Sequence, residues 1–193
     1  MQNVPSLAHF HTGINNDMVR SILDTIINKS PEMKPALIGA DDNDDGALNT
    51  QIRNCQMTPI EPVHWINGLL DYYVRTVNDE LFDFDLVNWH TDLQFLHYKG
   101  KGTGYKWHCD NAVTENEIGV RKLTVVLGLS NHNDYEGGEF QIILPGNNQR
   151  VDKIKLGMGE CIIFPSTSTH RVTPLKSGER SVIVGWYGGP DFR

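Results

Sequence analysis

His108 and Asp110 stand two residues apart in the segment Trp107-His108-Cys109-Asp110. On a strand, side chains alternate between faces, so this imidazole and this carboxylate point the same way while Cys109 points to the other face. A divalent metal held on one face needs a third ligand, and His170, in Ser168-Thr169-His170-Arg171 just after the apolar run Cys161 to Phe164, is the natural candidate. Two histidines and one carboxylate that leave coordination positions open suit iron(II), which must still bind oxygen and a second small ligand. An H-x-D triplet also recurs by chance, and the competing reading of His170 is a surface residue.

Arg180 follows His170 by ten residues, with Pro174 and Lys176-Ser177-Gly178 between them offering a turn. That spacing predicts neighbouring antiparallel strands. Along the final strand Arg180, Val182, Val184 and Trp186 share a face, and an arginine facing inward among apolar side chains calls for an anionic partner. A ligand carboxylate fits the planar fork of a guanidinium better than it fits an ammonium. The competing reading is an internal salt bridge to Asp or Glu.

At these positions the chain resembles the 2-oxoglutarate and iron(II) dependent dioxygenases of the prolyl 4-hydroxylase type, including bacterial and phage hydroxylases. The resemblance runs from about Phe95 to Tyr187. The segment Tyr98-Lys99-Gly100-Lys101-Gly102-Thr103-Gly104-Tyr105-Lys106-Trp107-His108-Cys109-Asp110 looks like the family's Y-x-G-x-G-x-x-x-x-x-H-x-D pattern. Arg121-Lys122-Leu123-Thr124, Tyr135-Glu136-Gly137-Gly138-Glu139-Phe140, Phe164-Pro165, His170, Arg180 and Trp186 follow in the family's order. The resemblance implies a mainly β fold with N-terminal helices, whose core is a double-stranded β-helix, a cupin-like jelly roll.

The resemblance also implies roles. His108, Asp110 and His170 become iron(II) ligands, Arg180 the partner of the distal carboxylate of 2-oxoglutarate, and Tyr98 a pocket residue near that co-substrate. With O₂ as oxidant, 2-oxoglutarate goes to succinate and the substrate gains a hydroxyl; ascorbate is the expected reductant. Some animal members set a second tyrosine against the distal carboxylate, where Gly128 aligns here, so the helper of Arg180 lies open between Thr124 and Tyr98. Tyr105 and Trp186 match positions that shape the substrate pocket, with plain core packing as the alternative for both. The expected substrate is a peptidyl proline. The alternatives are a free amino acid or other small molecule, and a metal-binding β-barrel without catalysis, which leaves Arg180 and Tyr98 without a purpose. Nucleic-acid demethylases of the same superfamily place a second arginine six residues after the first, and this chain has Trp186 there.

The elements that must position these residues fall into two halves. Val19, Ile22, Leu23, Ile26 and Ile27 recur at helical spacing from Met18 to Ile27, as do Trp65, Leu69, Tyr72, Tyr73 and Val77 from His64 to Leu81. Two amphipathic helices are expected, joined by a polar stretch from Gly39 to Thr50 and an extended segment from Gln51 to Ile60 that ends at Pro62. From Asp92 onward short β-rich runs alternate with Gly, Pro and Asn: Leu93 to Tyr98, Lys122 to Leu129, Glu139 to Leu144, Lys153 to Leu156, Glu160 to Phe164 and Arg180 to Trp186. Many short strands point to a sandwich or jelly roll. Residues 1–193 read as a single domain, with 1–90 a helical support region and 91–193 the catalytic β core.

Several features carry competing readings. Asp41, Asn43, Asp45 and Gly46 mimic the start of an EF-hand loop, but Ile52 stands where a bidentate Glu is needed, so a solvated loop is favoured. Gly137-Gly138 reads as a hairpin turn. Trp107 joins the pocket candidates, His9 and His11 read as bystanders near the terminus, and Asn111 to Val120 reads equally as a lid or a plain loop. Lys99, Lys101 and Lys106 could line a basic groove, with a solvated face favoured.

Composition sets the outer bounds. A chain of 193 residues with 39% hydrophobic content can bury one sizeable core. Its net charge of −7 gives no overall basic footprint for nucleic acid or an anionic membrane. No apolar run reaches the length of a membrane span, and no secretory signal is evident, so a soluble cytoplasmic protein is expected. Cys55, Cys109 and Cys161 are odd in number and far apart, which suits a reducing compartment and ordinary thiols.

Overall fold

The computed structural model describes residues 6–29, 33–38, 47–111, 118–145 and 150–192. The EF-hand-like residues 41–46 and most of the candidate lid, residues 112–117, lie outside the described residues.

The first half supplies β1 (Ala8–His11), α1 (Asn16–Lys29), β2 (Lys34–Pro35), β3 (Arg53–Asn54), β4 (Gln56–Ile60), α2 (Ile66–Val77) and β5 (Asn88–Trp89). The second half supplies β6 (Leu93–Lys99), β7 (Gly104–His108), β8 (Val120–Gly128), β9 (Tyr135–Gly137), β10 (Phe140–Ile143), β11 (Val151–Ile154), β12 (Glu160–Pro165), β13 (His170–Val172) and β14 (Leu175–Gly189). The first 90 residues therefore give strands as well as helices. His9 and His11 sit on β1, which pairs with β12, and His9 reaches Glu160 at 3.3 Å.

Asn15 caps α1, its side-chain oxygen accepting from the Met18 N–H at 3.0 Å, and Val19, Ile22 and Ile26 form the buried stripe. Helix α2 exists where the spacing predicts it, but its inward face is shifted: of the expected stripe Val77 is buried and Leu69 and Tyr73 pack partly against the core. Ile66, Leu70, Val74 and Val77 are buried, whereas Trp65 and Tyr72 are exposed. The two candidate stripes lie one residue apart, and the aliphatic one packs on the sheet because it brings no polar atom. Tyr73, at the border, keeps its hydroxyl satisfied by donating to the Thr12 carbonyl at 2.6 Å. A π-helical turn, Asn78–Phe82, continues α2.

Two sheets face each other. The larger runs β1-β12-β8-β14-β6-β4-β2, with β5 and β9 also on β14, and the smaller runs β11-β10-β13-β7-β3. Strand alternation divides the core in two. Leu123, Val125, Leu127, Cys161, Ile163, Ile183 and Tyr187 meet the helices on the outer face of the larger sheet. Val126, Ile162, Phe164, Val182, Val184 and Trp186 turn to the space between the sheets. The result is a mainly β jelly roll with two helices against one face, as the sequence predicts. No helix among the described residues is long and apolar enough to cross a membrane.

His170 and Arg180 do not occupy neighbouring strands. β13 pairs with β10 and β7 in the smaller sheet, and Arg180 on β14 pairs with Tyr98 on β6 in the larger. The intervening Thr173 and Pro174 carry the chain from one sheet to the other, so the two side chains approach the interior from opposite walls.

Candidate active site

β7 and β13 run antiparallel with His108 and His170 as register partners, which sets both imidazoles on one face. Asp110 lies two residues past the end of β7, fixed by its N–H donating to the Ser166 carbonyl at 2.8 Å. His108 Nε2 is 3.5 Å from Asp110 Oδ1, and His170 Nε2 is 3.5 Å from Asp110 Oδ2. One ligand atom from each residue lies within 4.8 Å of the other two. Among the described residues this is the only such cluster of three.

The surrounding hydrogen bonds fix how these groups present themselves. His108 Nδ1 is 2.7 Å from the Lys106 carbonyl and His170 Nδ1 is 2.9 Å from the Ser168 carbonyl. A carbonyl only accepts, so both rings carry the proton on Nδ1 and turn the Nε2 lone pair to the cluster. Thr124 Oγ1 donates to Asp110 Oδ2 at 3.0 Å and lies 2.9 Å from Ser166 Oγ. Burial, followed by the neighbouring His170, pushes His108 down to about 4, which keeps the ring neutral. Burial alone raises the Asp110 carboxyl, but His170, His108, the Trp186 indole and the Thr124 hydroxyl together hold it below the usual carboxylate range. Tyr105 stacks on His108 with ring centroids 3.5 Å apart, and Phe164 meets His170 edge-on at 4.8 Å. Two imidazoles and one carboxylate on a rigid mount fit iron(II).

The cluster opens on a cavity of about 410 Å³ between the sheets. Arg180 lines the same cavity and is 1% exposed. Its guanidinium carbon stands 5.2 Å from the centre of the Tyr98 ring, and its Nε, Nη1 and Nη2 have no hydrogen-bond partner. Burial pushes the Tyr98 phenol up, so it stays a neutral donor. Gly138 makes room for the arginine stem. A Cβ there would stand 2.8 Å from Leu175 Cδ2 and 3.2 Å from Arg180 Cδ, and its φ of +61° already favours glycine.

The residues singled out from sequence fall into clear places. Tyr98, Tyr105, Thr124, Arg180 and Trp186 line the cavity with the three candidate ligands. Of the two candidates for the helper of Arg180, Tyr98 is beside it, while the Thr124 hydroxyl is engaged by Asp110 and Ser166. Trp107 lies outside the cavity with Arg171 over its ring at 4.5 Å, and none of Lys99, Lys101 and Lys106 lines it. Sequence reasoning missed Arg53, and it quoted Arg121 in the family match without giving it a role. Arg121 packs over the Trp186 ring at 4.3 Å, and Arg53 lies over Tyr105 at 5.2 Å. Alternation of Arg53 with Cys55 and Met57 in the extended segment was the available signal, the same one that exposes Arg180.

Comparison with known proteins places the chain among oxygenases. Positions 93–188, which hold all three candidate ligands and Arg180, match the 2OG-Fe(II) oxygenase superfamily. A PKHD-type hydroxylase of Synechococcus sp. (strain CC9902) is 45% identical over 87 residues, 44% of this chain and 36% of that protein. The match thus spans little more than a third of that relative's length. A PKHD-type hydroxylase of Shewanella oneidensis is 34% identical over 169 residues, covering 83% of this chain and 71% of that protein. Among solved structures, a Pseudomonas putida prolyl-4-hydroxylase superposes with a TM-score of 0.73 at 19% identity, over 96% of this chain and 94% of that one. A Trichoplax adhaerens prolyl hydroxylase, in complex with a hypoxia inducible factor oxygen degradation domain peptide fragment, superposes with a TM-score of 0.74 at 21% identity, over 97% and 84%. The superpositions establish a shared fold, and the sequence match to the Shewanella hydroxylase extends the kinship well beyond the ligand strands. On that combined footing, the chain belongs to the 2OG-Fe(II) oxygenase superfamily.

Proposed function

We propose that the chain is an iron(II)- and 2-oxoglutarate-dependent hydroxylase acting on a proline within an extended peptide. The observation that carries this reading is the pairing, in one cavity, of the His108, Asp110 and His170 cluster with an Arg180 that has no anionic partner of its own. An unpaired buried guanidinium costs several kcal/mol in general, so its natural complement is a dicarboxylate bound between it and the metal. Bound iron(II) supplies the oxygen activation that couples loss of CO₂ from 2-oxoglutarate to hydroxylation of substrate.

The chain's own residues prepare that chemistry. Both imidazoles direct Nε2 inward, oriented by the Lys106 and Ser168 carbonyls. Thr124 restrains the Asp110 carboxylate, and Tyr105 and Phe164 clamp the two rings. Arg180 and Tyr98 take the distal carboxylate of the co-substrate, and the apolar Val182, Val184 and Phe140 exclude water from between. Tyr105, Arg121 and Trp186 wall the remaining space, where substrate is received.

A peptide is favoured because the Trichoplax protein of like fold is seen with a peptide fragment. Proline lacks an N–H and favours extended conformations, so a groove at the cavity can present its ring without first unfolding a helix. The test is incubation with iron(II), ascorbate, 2-oxoglutarate and proline-rich peptides, with added oxygen located by fragmentation mass spectrometry. Oxygen on a prolyl ring is expected. Succinate formation stimulated by a free amino acid or metabolite, but by no peptide, would overturn the substrate and favour a small-molecule hydroxylase.

A further inference from the structure

Arg53 is a second buried cation in the cavity wall. It projects from the edge strand β3 of the smaller sheet, is 8% exposed, and reaches across to the larger sheet. Its Nη1 donates to the Leu37 carbonyl at 2.8 Å and its Nη2 to Gln94 Oε1 at 3.3 Å, while Nε has no partner. Both acceptors are neutral, and among the described residues no carboxylate lies within salt-bridge distance of it. A guanidinium this buried retains its charge, so its field has to be answered by an anion.

That anion is not supplied by the groups already assigned. Among the described residues that line the cavity, Asp110 is the one carboxylate, against the guanidiniums of Arg53, Arg121 and Arg180. Arg53 and Arg180 are anchored at different positions along β6 and β14, although both act on Tyr98. Arg180 is the register partner of Tyr98, whereas Arg53 bonds Gln94, the partner of Val184. Gln94 and Tyr98 are four residues apart on β6, about 13 Å at roughly 3.3 Å per residue. Val184 is two residues from Trp186 along β14 and four from Arg180, so Arg53 attaches toward the substrate end. Its guanidinium lies over Tyr105, the ring that stacks on His108.

We infer that Arg53 is an anion subsite for substrate, and that the preferred peptide carries a carboxylate next to the hydroxylated proline. This rests on the hydroxylase reading above. A carboxylate matches the planar fork of the guanidinium with two parallel charge-assisted bonds. Its source is either the C-terminus of a chain ending in proline or an acidic side chain beside it.

Calorimetric titration decides between these sources and tests the subsite. The protein is held without oxygen, with iron(II) and saturating 2-oxoglutarate, and receives two peptide pairs: one ending in proline as acid or amide, and one amide-capped with Pro-Glu or Pro-Gln. In at least one pair the carboxylate form should bind about tenfold tighter or more, and Arg53→Gln should bring the two members within about twofold. Arg53→Lys, which keeps the charge without the fork, should retain part of the preference and guards against loss of fold. Equal affinities within both pairs, a preference untouched by Arg53→Gln, or a loss of 2-oxoglutarate affinity as large as the loss of peptide affinity would each overturn the inference. Admitting oxygen then separates the two readings, because a carboxylate preference that depends on Arg53 stands even where no proline is hydroxylated.

Discussion

Arg180 is the residue whose environment is least self-sufficient. Tyr98 offers one aromatic face and Tyr135 a hydroxyl, but no carboxylate among the described residues stands against its five N–H groups. Arg180→Ala should therefore raise the apparent KM for 2-oxoglutarate more than tenfold, since each hydrogen bond to a charged group contributes about 1.5–3 kcal/mol. Iron affinity without co-substrate should stay close to that of the unmodified protein, because the arginine is not among the metal-binding cluster. Steady-state kinetics beside an iron titration reads both, and an unchanged KM would remove the carboxylate assignment. Alternation along a strand is enough to read His108 and Arg180 as facing the interior, whereas Asp110, two residues past the end of β7, is fixed by the Ser166 carbonyl. Thr124 and Arg53 depend on what stands across from them. The hydroxyl of Thr124 is claimed by Asp110, 14 residues earlier, and Arg53 is met by Gln94, 41 residues later.

The helices and strands show the same division between local pattern and tertiary choice. The periodicity of α2 establishes a helix but offers two adjacent stripes, and only the sheet behind it selects Ile66, Leu70, Val74 and Val77. Leu70→Ala should cost about 2–5 kcal/mol of unfolding free energy, while Tyr72→Ala on the outer face should stay within about 0.5 kcal/mol. Chemical denaturation of both variants checks this, and equal effects would mean that the buried face is misassigned. β13 spans three residues, too few for alternation to announce a strand. Pro174 reads as a hairpin turn by composition, yet there the chain crosses between sheets and leaves β13 and β14 unpaired with each other.

In the whole molecule, the fold class is legible because many strands, most of them short and bounded by Gly, Pro and Asn, leave few architectures open. Their pairing is not legible: β1 joins β12 through Ala8 and Ile163, a separation no local pattern encodes. The two sheets face one cavity, with the candidate ligands from β7, β13 and the segment after β7 on one wall and Arg180 on the other. A chain with a net charge of −7 thus keeps buried guanidiniums at its centre, an arrangement suited to drawing in a dicarboxylate. The most direct measurement is succinate formation from 2-oxoglutarate with and without oxygen, on protein whose bound iron has been quantified. About one iron(II) per chain and strictly oxygen-dependent succinate are expected, both lost in His108→Ala and in Asp110→Ala. Full turnover in both variants, or succinate formed without oxygen, would contradict the assignment of this site.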